Sequence, residues 1–229
     1  MPTPGGPLEV RWLGRRPYAS VHAEMEALVD DRVADRGPDT LLLVEHDPVY
    51  TVGRARGAAA SLIDPGEVPV HPVARGGDVT FHGPGQLTAY PIVALPDGRK
   101  DLHAWLYGLQ GVCERVVSHW GVHGGPDPRN TGLWVQGQKI AAIGIACRRW
   151  VCWHGFAINV SVDLGWFRRI RPCGMAPETV TRLADHAAPC PSVDAVAAVT
   201  AAEFSSWWAS WSAGDGAAGP GQKFGAADR

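Results

Sequence analysis

Three strand-like segments follow one another closely in the second half of the chain, and they constrain the fold most. Residues 131–136, 139–147 and 151–160 are rich in apolar side chains, and short turns join them. The first turn, residues 136–138, has the length of a hairpin connection, which favours antiparallel neighbours. A strict alternation of strands and crossover helices therefore does not fit this part of the chain.

Helical patterns precede and follow these strands. Residues 101–120 carry an apolar stripe at i, i+3, i+4 spacing, with Asp101 as the expected N-cap and Gly121 after the end. Residues 17–36 and 192–211 are also predicted to be helices. Further strands are predicted at residues 40–45, 70–75, 79–81 and 87–93, and a loop at 54–68.

The order of these elements predicts the fold class. Helix, strands, helix, strands and helix, with hairpins among the strands, indicate an α+β fold, a mixed α/β sheet with helices packed on it. No internal repeat or interdomain linker divides the sequence, so we expect one domain over residues 1–211. Residues 212–229 are rich in glycine and alanine, and we expect a disordered tail there.

Composition and charge argue against several functional classes. The formal net charge of -2 gives no basic surface of the kind that binds nucleic acid. The sequence contains no signal-peptide pattern and no apolar run near the ~20 residues of a membrane span. Five cysteines at irregular spacing do not form a disulfide framework. We therefore expect a cytoplasmic protein, whose reducing surroundings keep thiols free.

A glycine-rich stretch, residues 75–86, lies between predicted strands. Its glycines let the backbone turn sharply and approach a ligand closely. Arg75, Thr80, His82 and Gln86 add polar side chains. The spacing matches neither the P-loop nor the dinucleotide fingerprint, so phosphate binding is not predicted. A polar hairpin turn without a ligand is the alternative interpretation.

Lys139 is unusual because the chain is poor in lysine. Only three of the 21 basic residues are lysines, and arginine serves elsewhere as the general positive charge. A lysine at the head of the apolar residues 140–146 suggests a cation that must be able to lose its proton, which arginine cannot do. On this strand Ala142 and Gly144 would share one face and leave room for an alkyl chain. A strand-end lysine with its head in solvent is the alternative.

Cys173 lies between Pro172 and Gly174, which places it on a turn, where a reactive thiol is accessible. Cys113 falls in the apolar stripe of a helix and is expected to behave as a small core residue. The cysteines interpreted as structural are Cys113, Cys147, Cys152 and Cys190.

Two other cysteine chemistries are considered. A zinc site built from Cys147, Cys152, His154 and Cys173 lacks the ligand spacing of structural zinc sites, so no metal is predicted. A cysteine hydrolase that pairs Cys173 with His82 or His154 stays open as an alternative.

These segments, in this order, resemble the lipoyl(octanoyl) transferase family, whose members share the biotin and lipoate ligase fold. The resemblance runs from about residue 43 to residue 183. It is carried by residues 45–54 (EHDPVYTVGR), 75–87, 132–135 (GLWV), 139–144 (KIAAIG), 154–160 (HGFAINV), Asp163, Phe167 and 172–174 (PCG).

The resemblance implies a mechanism and a set of site residues. Such enzymes move an octanoyl group from acyl carrier protein to a lysine of a lipoyl domain, through a cysteine thioester, in the first step of endogenous protein lipoylation. By match of position, Cys173 would be the nucleophile and Lys139 its catalytic partner. The acyl site would be lined by Arg75, Gly76, Gly77, Asp78, Val79, Thr80, Phe81, His82, Ala142, Ile143, Gly144, Gly155, Phe156 and Ala157.

The resemblance also implies the partners. Octanoyl-acyl carrier protein would be the donor, and lipoyl domains of 2-oxoacid dehydrogenase subunits and of glycine cleavage H protein would be the acceptors. Neither ATP nor a metal is expected, because thioester exchange is nearly isoenergetic and amide formation from a thioester is downhill. Nucleic acid and membranes are not expected as partners.

The chemistry of these residues agrees with those roles. A free cysteine with a pKa of ~8.5 is mostly protonated at neutral pH, and a nearby ammonium favours the thiolate. Lys139 would supply that charge and then accept a proton from the attacking amine. Backbone amides of Gly76, Gly77 or Gly144 would bind the tetrahedral intermediate.

Two positions depart from the family pattern. Phe81 stands where tyrosine is usual, and Arg182 stands where serine is common. Two alternatives remain beside the hydrolase. One is an ATP-dependent lipoate or biotin ligase of the same fold, which needs no nucleophile at Cys173. The other is a binding module without catalytic activity.

Overall fold

Two β-sheets and three long helices make up the computed structural model, which describes residues 7–171 and 179–214. The larger sheet has six strands in the spatial order β1-β2-β6-β9-β8-β7. β1 runs parallel to β2, and the other neighbours are antiparallel. These strands are β1 (Leu8–Arg16), β2 (Asp39–His46), β6 (Gln86–Ala94), β7 (Gly132–Val135), β8 (Gln138–Arg148) and β9 (Val151–Asn159).

The smaller sheet has three strands in the order β4-β3-β5, with β3 (Val49–Val52) parallel to β4 (Val70–Pro72) and antiparallel to β5 (Val79–His82). A separate apolar cluster covers it, which includes Tyr50 and Phe167. The two sheets give the chain two surfaces that can enclose a cavity between them.

Helices cover both faces of the larger sheet. The helix α1 (Tyr18–Val33) packs on one face, and α2 (Leu102–Ser118) and α3 (Val193–Ala213) pack on the other. Along β2, successive side chains alternate between these two cores, so every residue of the strand except Glu45 is buried. A strand buried on both faces appears as a continuous apolar run, which is the pattern seen at residues 40–45.

The start of α2 follows the sequence prediction. The Asp101 carboxylate accepts hydrogen bonds from the backbone amides of His103 and Ala104, at 2.8 and 3.1 Å. Trp105 is fully buried against aromatic side chains of α3, including Phe204 and Trp208. The cap and the aromatic packing together fix α2 against α3.

The predicted fold class is confirmed, and three details differ. The strand β3 was not predicted, because residues 49–52 fell between the predicted strand 40–45 and the predicted loop 54–68. The strand β1 was not predicted, and α3 continues two residues beyond the predicted boundary at residue 211. Residues 215–229 of the expected tail lie outside the described residues. Within the described ranges, no helix is long and apolar enough to cross a membrane.

Candidate active site

A cavity of about 110 Å³ lies between the two sheets. Residues of the three predicted segments line this cavity, because the loop before β5, β5 itself, β8 and β9 meet there. The predicted residues that line it are Arg75, Gly76, Gly77, Asp78, Val79, Thr80, His82, Lys139, Ala142, Ile143, Gly144, Gly155, Phe156 and Ala157. The structure therefore brings these residues together, and their roles stay predictions.

Phe81 is the described exception, because it does not line the cavity. Its ring is fully buried in the smaller sheet's core, stacked on Trp166 at 5.2 Å and edge-on to Phe167 at 5.8 Å. Side chains alternate along β5, so Phe81 points away from the face that carries Thr80 and His82. The expectation that Phe81 contacts the acyl group is corrected on this geometry.

Arg75 is a buried cation that holds the glycine-rich loop closed. Its guanidinium donates to the carbonyls of Gly76 (3.0 Å) and Asp78 (2.8 Å) in its own loop. It also donates to the carbonyl and the hydroxyl of Thr51, at 2.9 and 2.8 Å. Burial lowers the pKa of Arg75 from its ordinary value. These four bonds satisfy a charge that would otherwise be costly to bury.

The same loop is tied to β8. The Gly76 amide donates to the Ile145 carbonyl at 2.8 Å. This amide is therefore engaged, and it does not point to an acyl oxygen in this structure. This hydrogen bond argues against the Gly76 amide as a donor to the tetrahedral intermediate.

A chain of buried amides fixes the orientation of His82. The Asn159 amide nitrogen donates to the Thr181 carbonyl at 2.9 Å, so the Asn159 oxygen is free to accept from Gln86, at 2.9 Å. Gln86 also donates to the Phe81 carbonyl at 3.2 Å, which leaves its oxygen facing the His82 Nδ1 at 2.8 Å. Because a carbonyl oxygen can only accept, His82 carries its proton on Nδ1.

Aromatic and imidazole rings close one side of the cavity. Tyr18 from α1 stacks on His82, with ring centroids 6.4 Å apart. The Tyr90 hydroxyl lies 2.9 Å from Nε2 of the buried His46. His154 lies within β9 but has a φ of 56°, and its ring stacks on Trp153 at 4.4 Å.

Burial keeps these imidazoles neutral. Desolvation lowers the pKa of His82 to about 3, with smaller contributions from neighbouring positive groups. It lowers the pKa of His154 to about 3 and that of His46 to about 4. At neutral pH these three rings are therefore uncharged.

Lys139 heads β8 beside the cavity. Its Nζ lies over the Trp134 ring, 5.8 Å from the centroid, instead of extending freely into solvent. Gly132 of β7 adopts φ of +151°, and a Cβ there would overlap the Lys139 Cε and the Ala141 carbonyl. The Lys139 carbonyl accepts from the Thr181 amide at 3.0 Å, and Val180 pairs with Lys139 in parallel. Its neighbours therefore fix the position of Lys139 through both backbone and side chain.

Cys173 lies outside the described residues, so its contacts are not part of this structure. Among the described cysteines, burial raises the pKa of Cys113, and Cys190 is exposed. Cys147 and Cys152 are opposed on β8 and β9 as free thiols. Over residues 7–171 and 179–214, no group of three or more His, Cys, Asp or Glu side chains could hold a metal ion.

Several cavity residues were not predicted as site residues. A partial signal exists for those on β6, because Gln86, Thr88 and Tyr90 place polar groups at alternate positions of a buried strand. Tyr18 and Asn130 carry no comparable signal, since they reach the cavity only through tertiary packing. The cavity residues outside the predicted set of site residues are Tyr18, Thr51, Gln86, Thr88, Tyr90, Asn130, His154, Asn159, Phe167 and Val180.

Most of the chain matches one known protein family. Residues 17–205 match the Lipoyl protein ligase A/B catalytic domain. An octanoyltransferase of Nostoc punctiforme is 46% identical over 175 residues, which cover 75% of this chain and 76% of that protein. An octanoyltransferase of Geobacter sulfurreducens is 46% identical over 187 residues, covering 82% and 79% of the two proteins.

Solved structures of similar fold have much lower sequence identity. A bi-partite lipoate protein ligase from Thermoplasma acidophilum aligns with a TM-score of 0.67 at 17% identity, over 90% of this chain and 84% of that one. A biotin protein ligase from Aquifex aeolicus aligns with a TM-score of 0.56 at 12% identity, over 90% and 72% of the two chains. At such identities these neighbours show a shared fold alone.

Proposed function

Because the chain belongs to the Lipoyl protein ligase A/B catalytic domain family and is an acyltransferase, we propose that it transfers an octanoyl group through a thioester on Cys173. The donor is octanoyl-acyl carrier protein. The acceptor is a lysine of the lipoyl domains of 2-oxoacid dehydrogenase subunits and of glycine cleavage H protein. The reaction begins endogenous lipoate synthesis, in the cytoplasm, and needs neither ATP nor a metal.

The observation that carries this proposal is the placement of Lys139 beside a cavity wall of small side chains. On β8 and β9, Ala142 lies opposite Ala157, and Gly144 lies opposite Gly155. Each of these residues lines the cavity. These two cross-strand pairs contribute no bulky side chain to the cavity wall, which supports the placement of an extended alkyl chain there.

The first half-reaction would form the thioester. The Cys173 thiolate attacks the donor's thioester carbonyl, the new C–S bond forms, and the carrier's thiolate leaves. An ammonium at Lys139 stabilises the attacking thiolate, and it gives the departing sulfur its proton.

The second half-reaction would form the amide. The acceptor amine attacks the acyl-Cys173 carbonyl, a C–N bond forms, and the C–S bond breaks. Lys139, now a neutral amine, takes the proton from the attacking nitrogen. Arginine cannot do this, because its pKa keeps it charged.

The described residues on both sides of Cys173 lie next to the cavity. The Arg171 amide donates to the Ser61 carbonyl at 2.7 Å, and the Ser61 hydroxyl donates to the Asp78 carboxylate at 2.8 Å. On the other side, Val180 lines the cavity and pairs with Lys139.

A cysteine hydrolase fits these observations less well. Its base would be His82 or His154, and burial lowers the pKa of each to about 3. A general base works best with a pKa near the operating pH, so these imidazoles are too weakly basic to activate a thiol.

Intact-protein mass spectrometry tests the proposal. Incubation with octanoyl-acyl carrier protein should add one octanoyl group to the unchanged protein and to the Cys190→Ser variant, a control that removes an exposed thiol. Cys173→Ser should show no adduct. An adduct that persists in Cys173→Ser would refute the assignment. Product formed from free octanoate and ATP, without a thioester donor, would favour a ligase.

A further inference from the structure

Two cysteines that the acyl chemistry does not use face each other on the hairpin of β8 and β9. Cys147 and Cys152 are register partners, and the pair Arg148–Val151 closes the hairpin beyond them. The two turn residues, Arg149 and Trp150, have φ of 51° and 66°. Positive φ at both positions is typical of a two-residue type I′ turn.

This turn determines the separation of the two cysteines. The closing pair of a two-residue hairpin is hydrogen-bonded, and pairs alternate along an antiparallel ladder, so Cys147 and Cys152 form a non-hydrogen-bonded pair. The Cα atoms of such a pair are ~4.5 Å apart, within the ~4.4–6.8 Å that a disulfide spans. Both side chains lie on the same face of the hairpin, because directly opposite residues do.

The two thiols differ in exposure and acidity. Cys147 is half-buried and Cys152 is buried, and both are free thiols. The Cys152 thiol lowers the pKa of Cys147, burial opposes this in part, and the Trp150 backbone amide lowers it further. The hydrogen bond to Cys147 and burial together raise the pKa of Cys152. An accessible, acidic thiol beside a second thiol is the arrangement of redox-reactive cysteines.

We propose that Cys147 and Cys152 form a peroxide-reactive dithiol that closes to a disulfide, as a modification site separate from the acyl-transfer chemistry. Cys147 attacks first, because it is the more exposed and the more acidic thiol. Its sulfur forms a bond to one oxygen of hydrogen peroxide, the O–O bond breaks, and hydroxide leaves. Cys147 is thereby oxidised to a sulfenic acid.

Cys152 completes the reaction. Its thiol loses a proton and attacks the Cys147 sulfur, so the S–S bond forms and the S–O bond breaks. The oxygen leaves as hydroxide, and the released protons convert both hydroxides to water. Two thiols and one peroxide thus give one disulfide and two waters, and a dithiol reductant reverses the change.

The location gives this pair a structural consequence. The same two strands carry the cavity pairs Ala142–Ala157 and Gly144–Gly155. A disulfide near the turn would lock the register of the strands on which these pairs depend. The thiols themselves pack toward the core that contains α2 and α3, on the other side of the sheet from α1. Oxidation of the pair therefore does not require peroxide to enter the cavity.

Trypsin digestion gives a direct test, because Arg148 and Arg149 lie between the two cysteines. Cleavage after basic residues places Cys147 in a peptide of residues 140–148 and Cys152 in a peptide of residues 150–168. The full-length protein is reduced, treated with hydrogen peroxide and alkylated before digestion. We expect the two peptides to be joined, with the loss of two hydrogens, and to separate after reduction.

Variants distinguish this disulfide from other oxidation. Cys173→Ser removes the proposed acyl nucleophile and Cys190→Ser removes an exposed thiol, and both should still give the crosslinked peptides. Cys152→Ser should leave Cys147 as a sulfenic acid that dimedone traps, whereas Cys147→Ser should leave Cys152 alkylated. Buried Cys113 serves as the unreactive reference within each sample. Peroxide-treated protein in which Cys147 and Cys152 alkylate as fully as before, or in which either pairs with another cysteine, would overturn the proposal.

Discussion

The substitution Asn159→Leu removes the amide at the centre of the buried polar chain and keeps the side-chain size. Asn159 is 5% exposed, accepts from Gln86 at 2.9 Å and donates to the Thr181 carbonyl at 2.9 Å. The leucine would leave the Thr181 carbonyl and one N–H of Gln86 without a hydrogen-bond partner, in residues that are each 2% exposed. The cost comes from these stranded partners rather than from a cavity.

The expected loss in the free energy of unfolding is about 2–4 kcal/mol. A stranded buried polar group costs ~1–3 kcal/mol. The cost of leaving the Thr181 carbonyl unpaired should fall in the middle of that range. Gln86 should fall at its lower end, because its amide nitrogen keeps the Phe81 carbonyl at 3.2 Å. In a Gln86→Leu background the Gln86 contribution is already absent, so Asn159→Leu should cost less there, with a coupling of ~0.5–3 kcal/mol.

Urea unfolding followed by tryptophan fluorescence measures these values, and an unchanged m-value shows that the same surface unfolds. Asn130→Leu is the matched control. Asn130 also lines the cavity, is only half-buried, and takes no part in this chain of amides, so we expect a change within ~0.5 kcal/mol. If Asn159→Leu is as stable as the control, or if its cost is unchanged in the Gln86→Leu background, the reasoning is refuted.

Three other outcomes are expected. Lys139→Arg should lower acyl transfer to a lipoyl-domain lysine by at least ~10²-fold, and near-normal turnover would contradict its role in proton transfer. Gly144→Ala adds a Cβ to a residue that lines the cavity, 3.2 Å from the Arg75 side chain, and so narrows the space proposed for the acyl chain. The value of kcat/KM should therefore fall more for an octanoyl donor than for donors with shorter acyl chains, and an equal fall would argue against an acyl site beside Gly144. Burial lowers the pKa values of His46, His82 and His154 to about 4, 3 and 3. Below pH ~6.5, the ordinary pKa of histidine, the unfolded chain therefore binds more protons than the folded protein does. The free energy of unfolding should therefore be highest above that pH and fall by up to ~1.4 kcal/mol per pH unit for each histidine as the pH drops toward 4. Melting temperatures that do not change over this pH range would contradict the prediction.

The elements with strong periodicity were predictable, and the edge strand β1 of the larger sheet was not. The stripe in residues 101–120 and the apolar run at 40–45 reflect burial on one helix face and on both strand faces, respectively. In β1, residues 8–12 alternate apolar and polar side chains, but Val10 and Trp12 are 37% and 39% exposed. Five alternating residues are a short signal, and pairing with β2 depends on tertiary contact.

Site residues within continuous sequence segments were predictable, whereas those that reach the cavity only through tertiary packing were not. The segments on β5, β8 and β9 meet because their strands pair or pack together. Period-two alternation within the predicted strand 79–81 puts Thr80 and Phe81 on opposite faces, but only the packing of Phe81 against Trp166 and Phe167 shows that its ring lies in the smaller sheet's core. Tyr18 reaches His82 only because α1 packs on the sheet, a contact that no local pattern encodes.

The two described cations of the cavity show why lysine and arginine are not interchangeable here. Arg75 has a fixed structural task, since its planar guanidinium bridges a loop and β3 through four hydrogen bonds to oxygen atoms. A rigid fork with a permanent charge suits that task. Lys139 instead places a single amine over Trp134, at the strand end whose carbonyl pairs with the residues that follow the Cys173 segment. A permanent charge at that position could stabilise a thiolate, but it could not accept a proton from the acceptor amine. The lysine-poor composition is thus most informative at Lys139, where the proposed reaction requires a cation that can become neutral.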